Sequence, residues 1–272
     1  MVSNKAVIDK IENYAFKMRK HILNMSLTAG AYSSHLGGGL SIVDITATLF
    51  GAVMNHDKNK PQWPDRDRFI LSKGHAALAL YCTLFEKKLL SKLELDSYGK
   101  NGSNLMSHAS HKVRNIEFST GSLGHGLPYA VGKALGEKIE KTNNRVYVLM
   151  SDGELNEGTT WESLLFASFH NLNNLFIIID NNKIQSLDFV KNVMKIEPLK
   201  KKIKSFNCNV EKIDGHNIKT IQKSLINKSI KPKVIIADTI KGKGVKFMEN
   251  KILWHYKSPT KKQLDAALKK LK

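Results

Sequence analysis

Apolar residues recur at three- and four-residue spacing over residues 5–27, where Ile8, Ile11, Tyr14, Ala15, Met18 and Ile22 share one face. That spacing predicts a helix there and a second over 41–54. Farther along, the pattern changes to short, nearly continuous apolar runs: residues 69–72 (Phe-Ile-Leu-Ser), 145–150 (Arg-Val-Tyr-Val-Leu-Met), 175–180 (Leu-Phe-Ile-Ile-Ile-Asp) and 234–238 (Val-Ile-Ile-Ala-Asp). Such runs read as strands buried on both faces, and a weaker one lies at 208–213. Helical stretches stand between them. One follows Lys73-Gly74 to about Lys88, and one runs from about Gly124 to Thr142, where Gly132 and Gly136 are expected to permit close packing. Another extends from a capping box at Thr159-Thr160-Trp161-Glu162 to about His170, and a fourth lies near 217–228. A lysine-rich helix starts near Thr260, and the lysine run at 200–204 reads as a solvated loop or helix end. Strand–loop–helix–strand alternation produces parallel strands. The expected fold is therefore α/β, a three-layer α/β/α architecture with a mostly parallel sheet covered by helices on both faces. No repeat or linker divides residues 1–272, which read as a single domain.

Composition narrows the class. The chain has 272 residues, 42% of them hydrophobic, enough to bury a sizeable core. No apolar run reaches transmembrane length, and the start Met1-Val2-Ser3-Asn4-Lys5 is not followed by the apolar stretch of a signal peptide. The two cysteines, Cys82 and Cys208, lack metal-ligand spacing and point to a reducing cytoplasm. The net charge of +19 raises the question of nucleic acid. Against that partner, the lysines are spread along the whole chain, with no basic tail and no zinc-finger, RRM or helix-turn-helix pattern. Solvated helix faces, an anionic substrate or an acidic partner chain remain.

The chemistry concentrates at two strand ends. In a parallel sheet, ligands bind outside the carboxyl ends of the strands, and Asp152 and Asn181-Asn182 follow two neighbouring apolar runs about thirty residues apart. A carboxylate and an amide oxygen are hard ligands suited to Mg2+ or Ca2+, ions that complete their shells with phosphate oxygens. Gly153 lets the backbone approach a phosphate, and the next helix directs its N-terminal dipole toward negative charge. Asp-Gly alone is an ordinary turn, and Asn-Asn alone an ordinary strand end. Together, on this supersecondary unit, they predict a diphosphate-bearing cofactor held through a divalent metal.

Ser151-Asp152-Gly153-Glu154, followed about 27 residues later by Asn181-Asn182, resembles the thiamine diphosphate motif that begins Gly-Asp-Gly and ends Asn-Asn, with Ser151 in place of the first glycine. Further segments in the same order resemble the transketolase family. They are Ser34-His35-Leu36-Gly37-Gly38, Arg66-Asp67-Arg68-Phe69-Ile70-Leu71-Ser72-Lys73-Gly74-His75, Ser119-Thr120-Gly121-Ser122-Leu123-Gly124-His125-Gly126, and Lys241-Gly242-Lys243-Gly244-Val245 with Trp254-His255. The likeness spans roughly residues 10–260. It departs from the usual pattern at Leu36, where proline is common, and at His125, which replaces a glutamine. The resemblance implies a thiamine diphosphate-binding (PP-type) domain with Asp152, Asn182 and the backbone carbonyl of Ile184 as ligands of Mg2+ (or Ca2+ or Mn2+). It implies cofactor contacts from His75, Gly121, Ser122, Leu123, Asp152, Gly153, Glu154, Asn182 and His255, with the Gly153 N–H on the diphosphate.

Of the ten histidines, the resemblance gives His35, His75 and His255 active-site roles, and His108, in Met106-Ser107-His108-Ala109, is a looser counterpart of a further active-site histidine. A neutral imidazole can shuttle a proton from a sugar hydroxyl near pH 7. His21, His56, His170 and His216 read as structural or solvated, and His111 and His125 carry no matched role. Glu157 corresponds to an acidic residue that, in the family, lies at the subunit interface and links two active sites. Transketolases ionise the cofactor with a glutamate of a second domain, for which this chain has no counterpart. The implied protein is the N-terminal subunit of a two-chain enzyme transferring a two-carbon ketol unit between sugars or sugar phosphates, paired with a C-terminal subunit on a separate chain as α2β2. A deoxyxylulose-phosphate-synthase-like or 2-oxoacid dehydrogenase α-like decarboxylation, and a noncatalytic binding module, are the alternatives.

Overall fold

The structure is a computed structural model describing residues 5–28 and 34–271. The signal-peptide reading rests on Met1–Asn4, which lie outside the described residues. Five parallel strands, β1 (Arg68–Leu71), β2 (Val146–Ser151), β3 (Leu175–Asn181), β4 (Asn209–Asp214) and β5 (Lys233–Asp238), form one sheet in the order β1-β2-β3-β5-β4. The helices in chain order are α1 (Lys5–Thr28), α2 (Leu36–Ser41), α3 (Val43–Thr48), α4 (Ala77–Glu86), α5 (Lys92–Asp96) and α6 (Gly126–Ile139), then α7 (Gly158–Phe169), α8 (Val190–Val193), α9 (Leu199–Ser205), α10 (Ile218–Ile226) and α11 (Lys261–Lys270).

Side chains on successive strand residues point to opposite faces, and the core divides accordingly. Leu71, Tyr147, Leu149, Phe176, Ile178 and Ile235 pack with α1 to α4, α10 and α11, while Ile70, Val148, Met150, Ile177, Ile179 and Ile236 pack with α6, α7 and α9. Both faces of β2 and β3 are buried throughout, which is why those strands read as continuous apolar runs. The edge strand β4 buries Val210 alone and leaves its other positions partly or fully exposed, and its sequence signal is correspondingly weaker.

Four expectations change. The helix over 41–54 is divided into α2, which begins earlier at Leu36, then α3 and a π-helical turn over Leu49–Val53. Three consecutive glycines disfavour a helix locally, but here close packing imposes one: a Cβ on Gly37 would stand 2.9 Å from the Lys241 side chain and 3.0 Å from the Trp254 carbonyl. The capping box at Thr159 does not form. α7 starts after Glu157, Thr159 Oγ1 donates to the Gly124 carbonyl (2.7 Å), and Thr160 Oγ1 donates to the Glu154 carbonyl (3.0 Å). Gly132 and Gly136 face open space, with nothing within 4 Å of an added Cβ, so no close packing explains them. The lysine run belongs to α9, which buries Leu199 and Ile203 one turn apart and leaves its lysines outward.

The charged start of the Arg66-Asp67-Arg68 segment is scaffold. Asp67 accepts from the backbone N–H groups of Asn55 and Arg145, both at 2.8 Å, and Arg66 pairs with Glu117. These contacts pin the amino end of β1, opposite the end where Lys73-Gly74-His75 emerges. There Gly74 is indispensable, since an added Cβ would lie 2.4 Å from the Thr120 carbonyl oxygen.

Candidate active site

A cavity of about 190 Å3 opens at the carboxyl ends of the central strands, lined among others by His35, His75, His108, Asp152, Asn182, Ile184, Lys241 and His255. Asp152 follows β2 and is 1% exposed; its Oδ1 accepts the Gly153 N–H (2.8 Å) and its Oδ2 the Lys183 N–H. Burial, followed by the charge of nearby Asp180, pushes the Asp152 carboxyl up to about 7, against the opposing Lys183 N–H and the Lys73 charge. Asn182 follows β3 and turns its Nδ2 to Asp180 Oδ2 (2.9 Å), while its Oδ1 accepts the Ile184 N–H (3.1 Å). Asn181 turns away and donates to Asp238. The neighbouring asparagines are thus separated by strand alternation.

Four imidazoles cluster across from these groups. The His35 ring lies 5.4 Å from His75, 5.2 Å from His108 and 5.3 Å from His255, and His75 lies 5.5 Å from His255. Burial and the neighbouring cations make the protonated forms costly. His35 falls to about 4 through burial, His108, Lys241 and Lys73, and His255 to about 2 through burial and then Lys241. His75 is lowered well below the ordinary value by burial and then Lys73, and His108 is lowered by burial. His255 Nδ1 lies 2.7 Å from Lys241 Nζ, an arrangement in which a neutral ring accepts from an ammonium.

The motifs assign Lys241 no role, yet it joins the two halves of the site. It is 1% exposed, and its Nζ donates to the Ile184 carbonyl (2.9 Å) and the Gln185 carbonyl (3.2 Å). Burial, then the Lys73 charge, lowers it to about 7. Its loop requires glycine: Gly242 has φ +81, and an added Cβ would meet the Met248 carbonyl oxygen at 2.7 Å. His216 braces the same loop, with Nε2 accepting the Ile240 N–H (2.9 Å) and Nδ1 bonding Asp44 (2.8 Å), so its structural reading holds. Lys73 likewise escapes the motif reading. Fully buried, it pairs with Asp180 and donates to the Gly38 carbonyl at 3.1 Å. The signal for it is a lysine directly following an apolar strand in Leu71-Ser72-Lys73.

Gly121, Leu123 and Gly153 line the cavity, but Ser122 is exposed and does not. The Gly153 N–H, expected on a diphosphate, is held by Asp152 as the cap of a 3-10 turn over Gly153–Asn156. Glu154 points into the protein rather than into the cavity. Its carboxylate accepts from Ser72 Oγ and from the Gly124 N–H (2.9 Å), tying the ends of β1 and β2 to the segment before α6. Glu157 is exposed at the start of α7 and also stands outside the cavity.

A parallel sheet with a carboxylate and an amide at adjacent strand ends, facing an imidazole cluster, is the architecture of a thiamine diphosphate-binding domain. The family model described as transketolase, thiamine diphosphate binding domain, matches residues 13–271, and the chain belongs to the transketolase family. It is 39% identical to an apulose-4-phosphate transketolase subunit from Actinobacillus succinogenes, over 97% of this chain and 96% of that protein. Human transketolase is 35% identical over 93% of this chain, which spans 41% of its length. The transketolase structure from Campylobacter jejuni superposes with a TM-score of 0.88 at 27% identity, over 98% of this chain and 43% of that one.

Proposed function

We propose that this chain, as a single thiamine diphosphate-binding domain, is the N-terminal subunit of a two-chain transketolase-like enzyme. The reaction is transfer of a two-carbon ketol unit from a ketose to an aldose, with sugar phosphates among the substrates. The observation that carries the reading is the convergence of Asp152, Asn182 and the Ile184 carbonyl with four neutral histidines on one cavity. The relatives agree in kind. The apulose-4-phosphate transketolase subunit matches over nearly its whole length, and a subunit of a 6-deoxy-6-sulfo-D-fructose transketolase from Clostridium is 37% identical over 87% of this chain.

The residues fit the cofactor and its metal. Among the described residues no three His, Cys, Asp or Glu side chains form a metal cluster. The Asp152, Asn182 and Ile184 set instead offers one carboxylate and two neutral oxygens, a set that suits Mg2+ sharing its shell with phosphate oxygens. Gln185 Nε2 and His35 Nδ1 are buried at the cavity without a hydrogen-bond partner among the described residues, two polar atoms that a ligand would satisfy. Lys241 adds positive charge where a diphosphate would lie. When bound, thiamine diphosphate supplies the nucleophilic thiazolium carbon. The chain holds the metal through Asp152, Asn182 and the Ile184 carbonyl, and Lys241 orients His255. His75 and His255 would contact the diphosphate and the reaction centre, while His35 and His108 would touch substrate hydroxyls.

Assembly is part of the proposal. A C-terminal subunit supplies the glutamate against the aminopyrimidine, and two chains of each kind form α2β2 in the cytoplasm, with Glu157 at the contact between copies. Exposed Leu165, Phe166 and Phe169 on α7 agree with a covered face there. Among the described residues no helix is long and apolar enough to cross a membrane. The test is reconstitution: ketol transfer, measured with xylulose 5-phosphate and ribose 5-phosphate, is absent for either chain alone and present when both are mixed with thiamine diphosphate and Mg2+. Transfer by this chain alone, or decarboxylation of pyruvate by the mixture in place of transfer, would refute the proposal.

A further inference from the structure

We propose that Asp180 is a positioning residue that fixes which end of the Asn182 amide faces the metal; the inference rests on the proposed ligand role of Asn182. Asp180 lies near the carboxyl end of β3 and has no exposed surface. Its Oδ2 accepts from Ser41 Oγ (2.7 Å), from Asn182 Nδ2 (2.9 Å) and from Lys73 Nζ, and its Oδ1 accepts from Thr239 Oγ1. These donors arrive from α2, from the turn after β3, from the loop after β1 and from the loop after β5. One carboxylate thus ties together four segments that border the site.

The consequence for Asn182 follows from donor and acceptor arithmetic. An ionised carboxylate only accepts hydrogen bonds, whereas an amide carries a donor nitrogen on one side and an acceptor oxygen on the other. Facing Asp180, Asn182 must present its NH2. The amide oxygen is then directed away, where it accepts the Ile184 N–H beside the other two candidate ligands. The two amide orientations have nearly the same shape, so sterics alone do not choose between them. A reversed amide would aim N–H groups at the cation. Lys73, buried against Asp180, supplies the compensating charge that a fully buried carboxylate needs.

The experiment titrates Mn2+ into the full chain assembled with thiamine diphosphate and its partner chain, reading free Mn2+ by electron paramagnetic resonance. Asp180→Asn, nearly isosteric but carrying a donor, is expected to raise the Mn2+ Kd at least tenfold. Asp180→Asn with Lys73→Met removes the buried ion pair at constant net charge, leaves Asn182 without its ionised acceptor, and is expected to raise the Kd at least tenfold as well. Ser41→Ala removes another donor to the same oxygen and leaves the Asn182 contact intact. It is expected to lower the melting temperature while keeping the Kd within twofold. An unchanged Kd in Asp180→Asn overturns the proposal. So does a Ser41→Ala protein that binds as poorly, because Asp180 would then act through the fold alone. Should Asp180→Asn fail to fold, the double variant with Lys73→Met decides, with a Kd within twofold of native overturning the proposal. Failure of the native complex to bind Mn2+ sinks the metal-site reading itself.

Discussion

Replacing His255 by asparagine should make the cofactor-free chain less sensitive to acid. The His255 pKa falls from 6.5 to about 2 through burial and then the Lys241 charge. As pH falls below 6.5, the unfolded chain takes up a proton at this residue that the folded chain refuses until far lower pH. Stability from His255 is therefore complete above pH 6.5 and lost progressively below it. At about 1.4 kcal/mol per pH unit, the loss between pH 7 and pH 5 is on the order of 2 kcal/mol. Asp152 works in the opposite direction. Its carboxyl is raised to about 7, so the folded chain gains a proton in this window that the unfolded chain does not, and stability rises by about 2 kcal/mol as pH falls to 5. Urea unfolding of the metal-free chain at pH 7.0 and 5.0, followed by circular dichroism, measures both. Relative to the parent, His255→Asn should lose about 2 kcal/mol less over this interval, and Asp152→Asn about 2 kcal/mol more. Parallel losses in parent and His255→Asn would show that the folded chain takes up a proton at His255 as readily as the unfolded chain does, and the neutral-histidine account of the site would fall.

Other outcomes follow from the same geometry. Asp152→Asn in the reconstituted complex should abolish thiamine diphosphate retention measured by calorimetry, and unchanged affinity would remove Asp152 as a ligand. Lys241→Met, which keeps the stem and deletes the ammonium, should weaken thiamine diphosphate binding at least tenfold, about 1.4 kcal/mol, while raising the melting temperature of the cofactor-free chain. Gly242→Ala meets a positive φ and the Met248 carbonyl at 2.7 Å, and should cost about 1–3 kcal/mol in denaturant unfolding. Gly74→Ala, with its Cβ 2.4 Å from the Thr120 carbonyl, should be worse, leaving little folded protein by size-exclusion chromatography.

The strands were legible because burial on both faces of β2, β3 and β5 leaves little choice but Val, Ile, Leu and aromatic residues. α2 was not legible, because the close approach of Gly37 to Lys241 and the Trp254 carbonyl is a tertiary contact that local propensity cannot register. The site divides along a similar line. Asp152, Asn182, His35, His75 and His255 stand in motifs, and the structure brings all of them to one cavity. Lys73, Asp180 and Lys241 are equally buried, but in sequence a lysine or aspartate reads as surface charge, and their partners lie far along the chain, Asp180 for Lys73 and the Ile184 and Gln185 carbonyls for Lys241. Glu154 fails in reverse. Its place in the motif suggests a cofactor contact, while its carboxylate is occupied by Ser72 and the Gly124 N–H.

The buried charges explain why the domain is built around its ligand. Removing an ammonium or a carboxylate from water costs several kcal/mol unless a partner compensates. Lys73 and Asp180 compensate each other, but Lys241 meets only carbonyls and a neutral ring, and Asp152 meets only backbone N–H groups, so both are shifted to about 7. Each shift records an unmet demand, for an anion beside Lys241 and for a cation beside Asp152. On the proposed reading, a diphosphate bound through a divalent metal meets both demands in one step. The free energy spent in burying these two groups would then return as binding affinity, and cofactor with metal should stabilise the folded chain far more than either alone. Melting temperatures with Mg2+ only, thiamine diphosphate only and both together measure that coupling. Simple additivity of the two separate shifts would show that Asp152 and Lys241 do not serve a common ligand.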